Sequence, residues 1–277
     1  MGIVITTLVE NTAGKSSILG EWGQSLLIEA YGMAILMDTG AGKAISPNLE
    51  KLGIDVKKVD RIVLSHGHYD HTGGLIAVLQ KINRPIEIVA HPDIFDDKYN
   101  HLSEAVNFPI GIPFCRNDLE ELGASFILFR EPFYLQENIL TTGEVPMLNS
   151  YEHIDPHLYV KRGDRFMPDQ VLDDLSLIIK TDAGLVVLLG CAHRGVINIL
   201  NQAMQLTGID KIYAVIGGTH LANASQAQIA ATISALKEMK VQKLAASHCT
   251  GLKTCAVLAQ HFGDKFLFNN AGTRIVL

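Results

Sequence analysis

Four times along this 277-residue chain a short apolar run of strand length ends, a histidine follows, and a helical pattern begins. His66 lies between RIVLS (61–65) and GLIAVLQKI (74–82), and His193 between LVVLLG (185–190) and GVINILNQAMQL (195–206). His220 follows KIYAVIG (211–217) and precedes ASQAQIAATISALKEM (224–239), while His248 separates KLAAS (243–247) from LKTCAVLAQHF (252–262). Short β-branched runs bounded by turn residues read as strands, and apolar positions three and four apart read as amphipathic helices. The alternation predicts an α/β chain in which the histidine-bearing loops gather at a sheet edge, where such layers build their sites. Further strands are expected at 5–10, 25–30, 34–38, 87–90, 175–180, 265–268 and 273–277.

The middle of the chain differs. Between His91 and Asp169 the periodicity weakens, and seven of the nine prolines and eleven of the eighteen aromatics fall there. A structureless loop of that length is foreign to a compact domain. Residues 91–171 therefore read as an insertion or subdomain, with 1–90 and 172–277 as the core. The segment either walls or lids the site or serves association into a homo-oligomer, and composition leaves both open.

A formal net charge of −6 and a pI near 6.0 give no field that draws in nucleic acid or an anionic membrane. No apolar run approaches a membrane span, and the N-terminus lacks a basic leader with a long apolar core. The four cysteines form no CxxC, which fits reduced thiols in a cytoplasm. AGKSS (13–17) contains Gly-Lys-Ser, but a phosphate loop needs a glycine where Val9 stands.

The densest chemistry lies in HGHYDHTGG (66–74). Just past a strand, extended geometry turns His66 and His68 to one side and Gly67 to the other. Two imidazoles so placed chelate a metal, and Asp70 and His71 at the following turn can face a second ion. Neutral imidazoles with a carboxylate suit one or two divalent ions, zinc foremost and iron or manganese also. Gly73 and Gly74 allow the tight turn into the helix.

HGHYDH resembles the H-x-H-x-D-H signature of the metallo-β-lactamase superfamily, and AILMDTG (34–40) resembles the strand that precedes it there. The resemblance implies an αββα sandwich with an inserted middle segment, a metal site at one edge, and Asp38 supporting that site. Hydrolytic members carry a metal-bridging aspartate in the second half; here GCAH offers Cys191, either a ligand or a small core side chain, and His193. His248 in SHCTG is the expected final ligand. For the separate histidine of those members, His91, His153 and His157 are candidates, or His193 fills that role.

GCAH, GGTH (217–220) and HCTG (248–251) resemble the branch typified by archaeal dihydropterin–ribofuranosylaminobenzene-phosphate synthases, though Trp22 stands where that branch has a histidine. The resemblance implies His66, His68 and His193 on one ion and Asp70, His71 and His248 on another, with Cys191 between or beside them. In a hydrolytic reaction Asp70 would orient the attacking water, and free amides at the helix start after His220 would hold a phosphate or carboxylate, with His220 as donor or proton shuttle. The expected partner is a phosphorylated, pterin-like small molecule handled by transfer. Hydrolysis of an ester, lactone or phosphoester is the alternative, and a non-catalytic metal, redox or ligand sensor is the third reading.

Overall fold

The computed structural model describes residues 2–103 and 106–277. The chain forms two compact units: one comprises the residues up to Phe129, Asp155–Asp173 and Asn270–Leu277, and the other Arg130–Ile154 and Asp174–Asn269.

The first unit is built on a seven-stranded sheet in the order Arg274–Val276, Val4–Val9, Ser25–Ala30, Met33–Met37, Arg61–Val63, Ile86–Ala90, Ala124–Leu128. From Met33–Met37 onward the pairing is parallel, so the C-terminal ends of these four strands share one edge. The parallel crossovers contain helices Ile45–Leu52 and Leu75–Ile82. Their Ile45, Leu49, Leu75 and Leu79 pack with Leu8, Leu36, Ile62 and Leu64 of the strand side into one buried core. A separate antiparallel sheet in the same unit has the order Arg165–Pro168, Leu158–Arg162, Lys98–Ser103, Val106–Pro109.

The second unit holds a six-stranded sheet: Lys243–Ser247, Ile212–Gly218, Gly184–Leu189, Leu177–Thr181, Ile139–Thr141, Tyr134–Gln136. Its first three strands are parallel, with Leu189 opposite Gly217 and Gly218 opposite Ser247. Helices Val196–Thr207, Gln226–Glu238 and Leu252–Phe262 follow these strands. Leu200, Ile233, Leu236, Leu258 and Phe262 close a second core against Leu185, Val187 and Leu189.

Two local expectations change. Residues 265–268 are not a strand: a 3₁₀ turn spans Gly263–Lys265, and Phe266 makes only an isolated bridge to Leu244. Phe266 is buried while Phe268 is 54% exposed, so an apolar run here marks one anchor rather than a ladder. The helix expected from residue 224 starts at Gln226, where the Ser225 side chain accepts from Gln228 N. Among the described residues no helix is long and apolar enough to cross a membrane.

Candidate metal centre

In the first unit Asp38 leaves the strand Met33–Met37 with a left-handed backbone, φ +61°. Its own amide donates to Val63 O at 2.9 Å, which sets it beside the end of the neighbouring strand. Ser65 N donates to Asp38 Oδ1 at 2.8 Å, and Ser65 Oγ donates to Oδ2 at 2.7 Å. His71 Nδ1 lies 2.7 Å from the same Oδ2, with both side chains fully buried. A carboxylate in that position accepts a hydrogen bond from Nδ1–H and so leaves the Nε2 lone pair for a metal. Because Ser65 Oγ spends its hydrogen on Asp38, it accepts from His66 Nδ1 at 2.9 Å, and His66 Nε2 is likewise left as an acceptor.

His66 Nε2 and His68 Nδ1 then stand 3.0 Å apart. Two nitrogens on one tetrahedral zinc, each at about 2.0–2.1 Å, are separated by about 3.3 Å, so this spacing fits a shared ion. The His66 and His71 ring centroids are 4.2 Å apart, and Asp70 Oδ2 lies 3.9 Å from His71 Nε2. Burial, reinforced by the charge of Lys98, lowers the His68 pKa to about 3, so the ring is neutral and able to ligate at ordinary pH. The four expected donors of this half converge, and their chemistry fits a divalent ion.

The loop that carries them is fixed by close packing. Gly67 donates its amide to Asp173 Oδ2 at 2.8 Å, and a Cβ there would sit 2.4 Å from Ile94 O. A Cβ on Gly74 would sit 2.2 Å from Thr39 O, although its φ of −84° is ordinary. Gly74→Ala is therefore expected to lower stability by about 1–3 kcal/mol or more through overpacking alone, measured by thermal denaturation. Asp38→Asn is expected to weaken metal binding by about 10–100-fold while the fold stays intact, measured by chelator competition.

Behind the loop lies a buried ion triad that sequence spacing gives no hint of. Lys98 Nζ contacts Asp169 Oδ2 and Asp173 Oδ1, each at 2.8 Å. Burial disfavours the ammonium, yet the two carboxylates outweigh it and raise the Lys98 pKa. For Asp169 burial acts upward, and Lys98 with a hydrogen bond from Val171 N brings it net below its ordinary value.

In the second unit the three parallel strands deliver Cys191, His193, His220 and His248 from the same sheet edge. Cys191, His193 and His220 each offer a donor atom within 4.8 Å of the others, and so do Cys191, His248 and Cys249. The His193 and His220 rings are 4.3 Å apart. Arg194 anchors the first loop, its N donating to Asp174 Oδ2 at 2.8 Å and its Nε to the Val145 carbonyl. Glu152 takes the first amides of the following helix, from Ile197 at 2.8 Å and Asn198 at 2.9 Å. Cys249 is a donor the sequence reading did not assign: burial acts to raise its thiol, but hydrogen bonds at Cys191 and His220 and the His248 and His220 rings hold it well below the ordinary thiol range. Its signal was present in HCTG, where it adjoins His248.

Beside His220, where a phosphate cradle is expected, the loop amides are turned toward Cys249. His220 N donates to Cys249 Sγ at 3.2 Å, Ala222 N to Cys249 O at 3.1 Å, and the helix begins only at Gln226. Of the other histidines, His91 Nδ1 accepts from Asp93 N at 3.0 Å and caps a short turn. His153 and His157 are exposed. His193 is thus the candidate that lies among metal-competent side chains.

The family description of the metallo-beta-lactamase superfamily matches residues 23–157. The 7,8-dihydropterin-6-methyl-4-(β-D-ribofuranosyl)-aminobenzene-5'-phosphate synthase of Methanocaldococcus jannaschii is 36% identical over 98% of this chain and 95% of its own length. A ribonuclease Z of Clostridium botulinum is 28% identical over 59% of this chain and 53% of its own. Among solved structures, a metal-dependent hydrolase of the beta-lactamase superfamily matches 99% of this chain and 98% of its own, with a TM-score of 0.84 and 26% identity. The α/β architecture read from the strand–histidine–helix alternation is shared with that solved structure, and the chain belongs to the metallo-β-lactamase superfamily.

Proposed function

We propose that this protein is a metal-dependent transferase acting on a phosphorylated, pterin-like small molecule, of the dihydropterin–ribofuranosylaminobenzene-phosphate synthase type. The observation that carries the reading is the 36% identity to that synthase across 98% of the chain. The proposed ligands are His66, His68 and His193 for one divalent ion, and Asp70, His71 and His248 for a second, with Cys191 as a further donor. Zinc suits this set first, and iron or manganese also.

A bound metal supplies Lewis acidity, which stabilises negative charge developing on a phosphoryl leaving group. Asp38 and Ser65 hold the His71 and His66 tautomers, so neither ring has to reorganise as substrate binds. His220 donates or accepts the proton that accompanies transfer, and in the hydrolytic alternative Asp70 orients the attacking water. The residues 91–171 supply part of the substrate-facing wall.

Hydrolysis is the second reading, favoured by the 26%-identical structure described as a metal-dependent hydrolase. Purified protein given a dihydropterin methyl diphosphate and a ribofuranosylaminobenzene phosphate separates the two. Diphosphate release with a joined product, and no cleavage of generic esters, is the expected result. Water-only cleavage of the diphosphate or of esters assigns a hydrolase. Metal and ligand binding without turnover of either kind contradicts both and leaves a sensor.

A further inference from the structure

The first unit holds a cleft of about 840 Å³ to which the metal chemistry assigns no role. That volume suits a small organic ligand. Four of its lining residues are aromatic, Tyr69, Phe95, Tyr99 and Phe114, and Asp97 stands at its lip. Tyr69 lies between His68 and Asp70 in the chain, and its amide donates to Ile110 O at 2.8 Å. Ile110 and Gly111 in turn donate to Lys98 O at 2.9 and 3.2 Å. The aromatic walls are therefore tied by backbone hydrogen bonds to the loop that carries the metal-competent histidines.

The rings are braced rather than loose. Phe95 meets Phe126 edge-to-face at 5.0 Å, and Tyr99 meets Phe166 edge-to-face at 5.1 Å. The charges around them are unequal in availability. Lys98 is held by Asp169 and Asp173, and Asp96 accepts from Arg162 Nη2 at 2.6 Å. Asp97 is exposed, and it is its backbone carbonyl that accepts from Lys161 N at 2.8 Å. Its carboxylate makes no side-chain hydrogen bond among the described residues.

Aromatic walls bind a flat ring by stacking, and an uncommitted carboxylate at their rim selects a ring edge that carries adjacent N–H donors. We propose that this cleft binds a flat heteroaromatic bicycle through its 2-amino-4-oxopyrimidine edge, with the ring against the aromatic walls and the donor edge on Asp97. The inference deepens the proposed function and rests on it for the substrate class, but not on the metal.

The same donor edge occurs in pterins and in guanine, so the test uses pterin, guanosine and lumazine, in which an acceptor oxygen replaces the 2-amino donor. Binding is read by quenching of pterin fluorescence on the full chain, in the parent, Phe114→Ala and Asp97→Asn. The expected result is saturable quenching in the parent, with Kd raised about tenfold or more by each cleft change. Lumazine is expected to bind the parent about tenfold more weakly than pterin, with that gap lost in Asp97→Asn. Asp97→Asn alters one exposed side chain, so it keeps the test decisive if Phe114→Ala fails to fold. No quenching, or equal affinity in the parent and both cleft variants, overturns the proposal. Guanosine displacing pterin at equal or lower concentration supports the cleft and overturns the pterin-directed function instead.

Discussion

Replacing His68 by alanine is expected to lower turnover by on the order of 10³ or more, because metal chemistry contributes several kilocalories to the barrier and each 1.4 kcal/mol is about tenfold. His68 offers Nδ1 at 3.0 Å from His66 Nε2 and is kept neutral by burial and by Lys98. Its loss removes one arm of the proposed chelate while leaving Asp38, Ser65 and His71 bonded to each other. Far-UV circular dichroism should therefore match the parent even as metal content falls. Full activity in this variant would remove His68 from the chemistry altogether.

The second large effect is on stability. Lys98→Met would leave Asp169 and Asp173 buried beside an apolar side chain. Removing one partner of a buried ion pair costs about 3–5 kcal/mol, because the remaining charge loses its compensation. For domains of this size that is a fall in Tm of about 6–20 °C. Asp173 Oδ2 also receives Gly67 N, so the loss reaches the histidine loop through its backbone.

The pH dependence follows from the directions of the shifts. The Asp169 carboxyl titrates below its ordinary 3.8 in the folded state, so its contribution is present above that pH and is lost as pH falls through the folded value. Lys98 titrates above its ordinary 10.5, so its contribution is present below that pH and is lost only as pH rises past the folded value. The gap in Tm between parent and Lys98→Met should be largest near neutral pH and narrow on acidification, because burial without Lys98 drives the Asp169 carboxyl of the variant to take up a proton. A gap that widens on acidification would contradict the ion triad as its source.

What the chain reveals before folding follows the range of the forces involved. The strands Met33–Met37, Arg61–Val63 and Gly184–Leu189 are nearly continuous apolar runs, and five consecutive residues from Leu185 are fully buried. Such runs with turn residues at their ends are legible locally. The candidate ligands His66, His68, Asp70 and His71 are legible for the same reason, being within six positions. The middle segment is not, because its strands are short and are divided between sheets: Ala124–Leu128 joins the seven-stranded sheet, while Tyr134–Gln136 and Ile139–Thr141 join the six-stranded one.

Long-range polar partners leave no local periodicity at all. Lys98 finds Asp169 and Asp173 across 71 and 75 residues, and Glu152 caps a helix 45 residues away. The αL geometry of Asp38 and His248, at φ +61° and +53°, is set by what each loop must reach, not by propensity. The apparent strand at 265–268 fails in the opposite sense, since its apolar residues are divided between a buried Phe266 and exposed neighbours.

Whether the histidine, aspartate and cysteine side chains at the two sheet edges hold metal is read from metal content per chain, by elemental mass spectrometry on protein purified without chelator, beside Cys191→Ala. About two divalent ions per chain are expected in the parent and fewer in the variant, since Cys191 offers a donor atom to both second-unit groups. Parent protein that is metal-free and acquires none on dialysis against zinc, iron or manganese would show that these side chains hold no ion.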